Sequence, residues 1–505
     1  MSEGFEAAAW SEPWLARRAA STPDRIALEF GASSLTYGEL QREALVVAAE
    51  LTARGVAPGD VVATGLGNGV EFPRLLWALR AVGAVLLPLN PRLATDEAAH
   101  ILRDSGASLW LDAGDSSGEE VARAAGDLPR LVMRGPRLEG GASVVSRPRP
   151  APLCENPGEI LALIYTSGTT GKPKGALLSA AAFRASAMGS AALLGTDSEE
   201  RWLGCMPLFH VGGLSILLRA CLAGSAVVVQ PGFDAQAVSV ALDDLGITGV
   251  SLVATMLGRL LDARGERPAP PGLRRVLLGG GPAPPSLLAR AHAAGYPLAP
   301  TYGLTEAASQ VATRLPDDVA PPFDERLSPL PGTEVRVVDA GGRVLDSGEA
   351  GEICVRGATL MREYLGRPEA TARALRQGWL HTGDLGILDD RGRLRVLDRR
   401  DDLIVSGGEN VYPAEIEAVL NGHPAVREAA VVGQPDAEYG ARPMAWWVPL
   451  APGSPAPDLE AYCRARLAGF KVPRRFVPIA ELPRNASGKL LRRQLRALAG
   501  AGTRE

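Results

Sequence analysis

The run from Tyr165 to Gly175 places Thr166, Ser167, Gly168, Thr169, Thr170, Gly171, Lys172, Pro173 and Lys174 in succession. Glycines let a backbone close on an anion, N–H groups and hydroxyls donate to its oxygens, and lysines add charge. The run reads as a phosphate cradle, with a flexible turn of small residues as the alternative. It is not the glycine loop of P-loop kinases and GTPases, which has four residues between its glycines and then Lys-Ser/Thr. Here two residues separate Gly168 from Gly171, and Pro173 follows Lys172.

Other segments carry reactive side chains at comparable density. They are Pro207 to Leu214, Thr301 to Glu306, Gly378 to Leu385, Ser406 to Pro413 and Leu482 to Lys489. Taken in this order with the cradle, they resemble the motifs of the adenylate-forming superfamily. That superfamily comprises acyl-CoA synthetases, adenylation domains of peptide synthetases and firefly-type luciferases. The resemblance extends from about Ile26 to Arg496. It implies that a carboxylate attacks the α-phosphorus of ATP, pyrophosphate leaves, and the acyl-adenylate passes to a thiol. Two anions must meet, so the site needs cations and N–H donors aimed at phosphorus.

The resemblance implies roles residue by residue. Thr166 to Gly171 and Lys174 hold the leaving pyrophosphate. Glu306 takes Mg²⁺, a hard ion that prefers oxygen, and Thr305 bonds the α-phosphate. Tyr302, beside Gly303, offers a ring face to adenine, and Gly279, Gly280 and Gly281 leave room for the base. Core packing is the other reading of Tyr302. Asp384 accepts both ribose hydroxyls, as a carboxylate can, and Arg399 adds a ribose or phosphate contact. Lys489 bridges the carboxylate and the α-phosphate. Asp401 stands at the hinge about which a small C-terminal domain swings after adenylation. Lys489 then leaves, and Ser406, Gly407 and Gly408 approach to open a tunnel for coenzyme A. Many relatives have Gly where Asp398 stands, which bears on the rotation and not on the reaction.

On the acyl side, Phe209 to Arg219 and Thr301 to Thr313 are similar to the o-succinylbenzoate–CoA ligases of menaquinone synthesis. Such an acid carries a second carboxylate, and a buried anion needs a partner. Arg219 is the candidate, with Ser251 and Ser309 as donors and His210 gating the pocket. A surface arginine paired with a carboxylate and a core histidine are the alternatives for Arg219 and His210. Medium- or long-chain fatty acids are the alternative substrates. A regulatory protein without catalysis and a luciferase-type oxygenase are the alternatives from other classes. Lys489 lies close to the C-terminus with no carrier domain after it, so coenzyme A is the expected acceptor, and a separate carrier protein the other.

The elements needed to position these residues can be read from periodicity. Ile160 to Ile164 is expected as a buried strand, and Ala-rich Leu177 to Leu194 as a helix directly after the cradle. From Ile26 to Leu111 strands and helices alternate, with Thr36 and Glu39 as a capping box. This predicts an α/β fold: layered α/β subdomains in a large N-terminal domain, residues 1–398, with an antiparallel β region between Thr333 and Val355. Residues 399–505 are expected as a small, mobile α+β domain. The 505 residues exceed one ordinary core, and 46% hydrophobic with 22% charged residues suits a soluble enzyme. A net charge of −4 provides no general field for nucleic acid or anionic membrane. Five scattered cysteines show no metal spacing or disulfide framework, which fits a reducing cytoplasm. No signal peptide or bilayer-spanning run is expected, and a homodimer is left open.

Overall fold

The computed structural model describes residues 14–93, 95–115, 119–144, 159–166, 173–281, 283–320, 323, 325–399, 402, 404–406, 409–436, 439–451, 456–467, 469–484 and 490–501. Two mainly parallel sheets form most of the chain. The first runs Arg137–Glu139, Arg130–Arg134, Leu109–Asp112, Val61–Thr64, Val85–Pro88, Ile160–Thr166, Lys174–Ser179. Its middle is parallel and its outermost pairs are antiparallel. The second runs Ser328–Pro329, Ser309–Thr313, Leu298–Leu304, Arg275–Gly279, Gly249–Val253, Arg201–Gly204, Ala226–Val229, Ile26–Phe30, Ser33–Thr36.

The parallel strands are apolar along their length because both faces are covered. Successive side chains point to opposite faces. Val62 joins a large buried cluster that takes in strand residues of both sheets, such as Leu86 and Val227, and helix residues Leu40, Leu75, Phe183 and Leu214. Val61 and Ala63 join a different cluster, with Leu102 and Trp110. The helix Tyr37–Ala53 starts as expected, with the Thr36 side chain and Glu39 bonding reciprocally. Pro73 sits in the first turn of the helix Glu71–Val82, where its missing N–H costs nothing.

One expectation is overturned beside the cradle. The helix does not begin at Leu177. Lys174–Ser179 is a strand, antiparallel to Ile160–Thr166, with Leu163 opposite Leu177. Leu177 and Leu178 are buried in different clusters, the signature of a strand covered on both sides. The helix Ala180–Leu194 starts only after Ser179, whose hydroxyl accepts from Ala182 N at 3.0 Å. The cradle therefore joins two antiparallel strands, and no helix N-terminus follows it directly.

A five-stranded antiparallel sheet follows, built on Thr333–Val338, Ala350–Gly357 and Trp379–Leu388, with Leu375–Arg376 and Leu394–Arg399. A last sheet contains Ile404–Ser406, Glu409–Val411, Val426–Asp436, Gly440–Pro449 and Arg475–Pro478. Pairing thus passes from one sheet to another between Arg399 and Ile404. A short helix, Leu459–Arg464, packs Leu459 and Cys463 into the core of this sheet. Cys205, Cys221, Cys354 and Cys463 are buried and outside any disulfide. No helix among the described residues is long and apolar enough to cross a membrane.

Candidate active site

The strand Leu298–Leu304 turns through a single helical turn, Thr305–Ala307, and returns as Ser309–Thr313. The reversal is tight. A Cβ on Gly303 would stand 1.9 Å from the Ser309 carbonyl oxygen, so only glycine fits there. Ala308 and Ser309 have φ of 51° and 110°, a strain of about 1–3 kcal/mol each. This is the segment the sequence marks as catalytic, and it aims Tyr302, Thr305, Glu306 and Ser309 from one short stretch.

Glu306 is held at both ends by one neighbouring segment. Its carboxylate accepts the Tyr364 hydroxyl at 2.8 Å, and its carbonyl accepts Met361 N at 2.8 Å. The Lys174 ammonium lies 5.3 Å from the centroid of the Tyr364 ring. Thr166 and Lys174 face each other at the open end of the hairpin. Ser167, Gly168, Thr169, Thr170 and Gly171, between them, lie outside the described residues.

Tyr302 and Asp384 are brought together: the phenol donates to the carboxylate at 2.6 Å. Asp384 is 6% exposed, and Thr382 Oγ1 accepts its N–H at 3.0 Å. Arg399 is in register with Asp384 on the adjacent strand; its side chain lies outside the described residues. Gly280 has φ of 83°, and a Cβ on Gly281 would meet nothing within 4 Å, so open space lies beside this turn.

The expected acyl residues gather along one helix face. His210 is the N-cap of Val211–Ala223, and its ring lies 4.6 Å from that of Phe209. Its Nε2 is buried without a partner. Burial pushes the imidazole down to about 4, so it is neutral near pH 7. Ser215 Oγ meets Ser309 Oγ at 3.2 Å. One turn on, Arg219 Nη1 donates to Gln310 Oε1 at 3.3 Å, and its Cζ lies 4.8 Å from the Trp202 ring centroid. Arg219 Nη2 is buried without a partner. Burial pulls the guanidinium down to about 10, against the opposing charge of Glu200. Ser251 Oγ accepts from Trp202 Nε1 at 3.2 Å. A cleft lined by Ser190, Trp202, Ile216, Arg219 and Arg275 opens beside this group. Gln310 and Trp202, missed by the motif reading, link Arg219 to Ser251 and to Thr313. Gln310 stood inside the quoted run after Glu306. Tyr364 had no local signal at all.

Ser406 is buried in the last sheet, opposite Glu409 and Gly440. Asp401, Gly407, Gly408 and Lys489 lie outside the described residues. Among the described residues, Arg492 makes two bonds of 2.8 Å to Glu417, and Arg496 pairs with Asp402.

These residues fit the groups that the reaction needs. The glycine turn with open space beside it can admit a planar base. Asp384 and Tyr302 offer oxygens to a diol. Glu306 would offer a hard carboxylate oxygen, the kind of donor that Mg²⁺ prefers.

The family model for AMP-binding enzymes matches residues 15–365, and that for the AMP-binding enzyme C-terminal domain matches 415–489. A 2-succinylbenzoate–CoA ligase of Bacillus cereus is 41% identical over 489 residues, 96% of this chain and 98% of the relative. The o-succinylbenzoate CoA synthetase of Bacillus subtilis, solved with its acyl-adenylate intermediate, is 38% identical with a TM-score of 0.86, covering 96% of this chain and 98% of that one. The same synthetase with ATP and magnesium ion has a TM-score of 0.84 at 38% identity, over 96% and 99% of the two chains.

Proposed function

Because the chain belongs to the AMP-binding enzyme family, we propose that it is an o-succinylbenzoate–CoA ligase of menaquinone biosynthesis. It forms an acyl-adenylate from the acid and ATP, then a thioester with coenzyme A. In the first step a carboxylate oxygen bonds to the α-phosphorus and the bond to pyrophosphate breaks. In the second the thiol sulfur takes the acyl carbon and AMP leaves.

The chain divides the work as follows. Residues 1–398 bind nucleotide and acid, and residues 399–505 move. Tyr302 and Asp384 orient adenosine, with Arg399 beside them. Thr166 to Gly171 and Lys174 hold the polyphosphate, Thr305 bonds the α-phosphate, and Glu306 ligates Mg²⁺. When bound, the cation neutralises charge on the phosphates. Lys489 brings a positive charge between the two anions that must react. Asp401 serves as hinge, after which Ser406, Gly407 and Gly408 border the thiol channel. Opposite demands of the two half-reactions give a physical reason for two domain positions. A reducing cytoplasm is the inferred compartment; a homodimer is compatible with the reading and not required by it.

The observation that carries the choice of acid is Arg219, whose Nη1 donates to Gln310 while its buried Nη2 has no partner. A buried donor without a partner costs about 1–3 kcal/mol, which a second carboxylate on the substrate removes. A hydrocarbon tail would leave that cost in place. The deciding experiment is a panel of carboxylic acids with ATP and coenzyme A, read by AMP release. o-Succinylbenzoate is expected to be the best substrate, and preference for a fatty acid would overturn the assignment.

A further inference from the structure

Tyr364 lies in none of the motifs that mark the nucleotide site, yet it touches both charged arms of that site. Its hydroxyl donates to Glu306 Oε1 at 2.8 Å, and Lys174 Nζ stands 5.3 Å from its ring centroid. Tyr364 is 9% exposed. Its backbone is fixed from several directions. Tyr364 N donates to Thr371 Oγ1 at 3.0 Å. Leu177 N donates to Glu363 O and Arg362 N to Leu177 O, both at 2.9 Å. Leu365 N donates to Gly175 O at 2.8 Å. Residues 361–365 thus line the second strand of the phosphate hairpin while Met361 N also bonds Glu306 O.

A carboxylate and an ammonium that share a site attract each other when no ligand lies between them. Direct pairing would close the space that triphosphate needs. A phenol solves this with one rigid group. Its hydroxyl holds the carboxylate in one rotamer, and its face accommodates the cation without neutralising it.

We propose that Tyr364 is a positioning residue of the adenylation step, which fixes Glu306 for the divalent cation and holds Lys174 at a set distance from it. The proposal rests on the reading of Glu306 as the metal ligand. Partners that orient a ligand from behind contribute about 10–100-fold to metal affinity or activity. Tyr364→Phe removes the hydroxyl and keeps the ring, whereas Tyr364→Leu removes both.

The test uses the full chain in three measurements: Mn²⁺ binding with ATP by electron paramagnetic resonance, pyrophosphate release against Mg²⁺ concentration, and thioester formation from supplied acyl-adenylate. Tyr364→Phe is expected to weaken Mn²⁺·ATP binding and shift the Mg²⁺ dependence by about tenfold or more, with thioester formation unchanged. Tyr364→Leu is expected to raise the KM for ATP as well. Unchanged metal dependence in Tyr364→Phe, or equal loss in both half-reactions, would overturn the proposal. Glu306→Gln separates the two readings. If it shifts the Mg²⁺ dependence and Tyr364→Phe does not, Tyr364 alone is misassigned. If Glu306→Gln has no such effect, the metal-ligand role itself fails.

Discussion

Gln310 turns its side-chain carbonyl to Arg219, with Oε1 3.3 Å from Nη1, while its amide nitrogen donates to Thr313 Oγ1 at 2.9 Å. The amide is 2% exposed and cannot flip without losing these bonds. A neutral acceptor therefore orients the guanidinium without adding an opposing charge of its own. Arg219→Ala is expected to raise the KM for o-succinylbenzoate by about 10–100-fold, the range of a lost charged hydrogen bond, and to leave that for ATP unchanged. Gln310→Glu should act the same way, because a carboxylate there competes for the cation. Steady-state kinetics decides, and an unaltered acid KM in Arg219→Ala removes this arginine from the pocket.

Lys489 is assigned to the first half-reaction only. Lys489→Ala is expected to abolish pyrophosphate release while sparing thioester formation from supplied acyl-adenylate. The physical reason is that its charge offsets repulsion between carboxylate and phosphate, which exists only before the anhydride forms. Parallel loss of both half-reactions would contradict this role.

His210 provides a pH dependence of stability. Its folded value of about 4 lies below the ordinary 6.5. Between these values the unfolded chain binds more protons than the folded one, so stability rises with pH through this window. It is fully present above about 6.5 and lost as pH falls toward 4, by roughly 3 kcal/mol at most. Denaturant titrations at pH 4.5 and 7 should differ less for His210→Gln than for the native chain. The same difference in both would show that other groups govern the acid limb.

The grouping of several candidate residues could be read from the sequence because they lie close together along the chain. Tyr302, Thr305 and Glu306 come from one strand end and turn, and His210 and Arg219 from one helix and its N-cap. The hydrogen bond from Tyr302 to Asp384 joins residues 82 apart in the chain and leaves no trace in either motif. What was not legible depends on pairing between distant segments. Leu177 and Leu178 look helical beside the alanines that follow, and become a strand because Ile160–Thr166 pairs with them. Tyr364 acquires its contacts because residues 361–365 line that same strand. No local pattern reports such a pairing.

Arg492, three residues after Lys489 in sequence, forms a largely buried pair with Glu417. Two bonds of 2.8 Å join them, their side chains are 12% and 10% exposed, and Glu417 also accepts Val431 N at 2.7 Å. Arg492 Nε further approaches Asp402 at 3.7 Å, next to the assigned hinge. Removing one partner of such a pair strands a charge, at a cost of about 3–5 kcal/mol. Arg492→Ala is therefore expected to destabilise the sheet that holds Val426–Asp436 by about that amount in denaturant titration. Glu417→Gln keeps an acceptor for Val431 and leaves the Asp402 charge near Arg492, so a smaller loss is expected. Lys489 precedes Arg492 by three residues, so loosening this anchor should slow pyrophosphate release more than thioester formation from supplied acyl-adenylate. Stability lost with no difference between the two half-reactions would mean that the pair holds the domain together and has no part in placing the lysine.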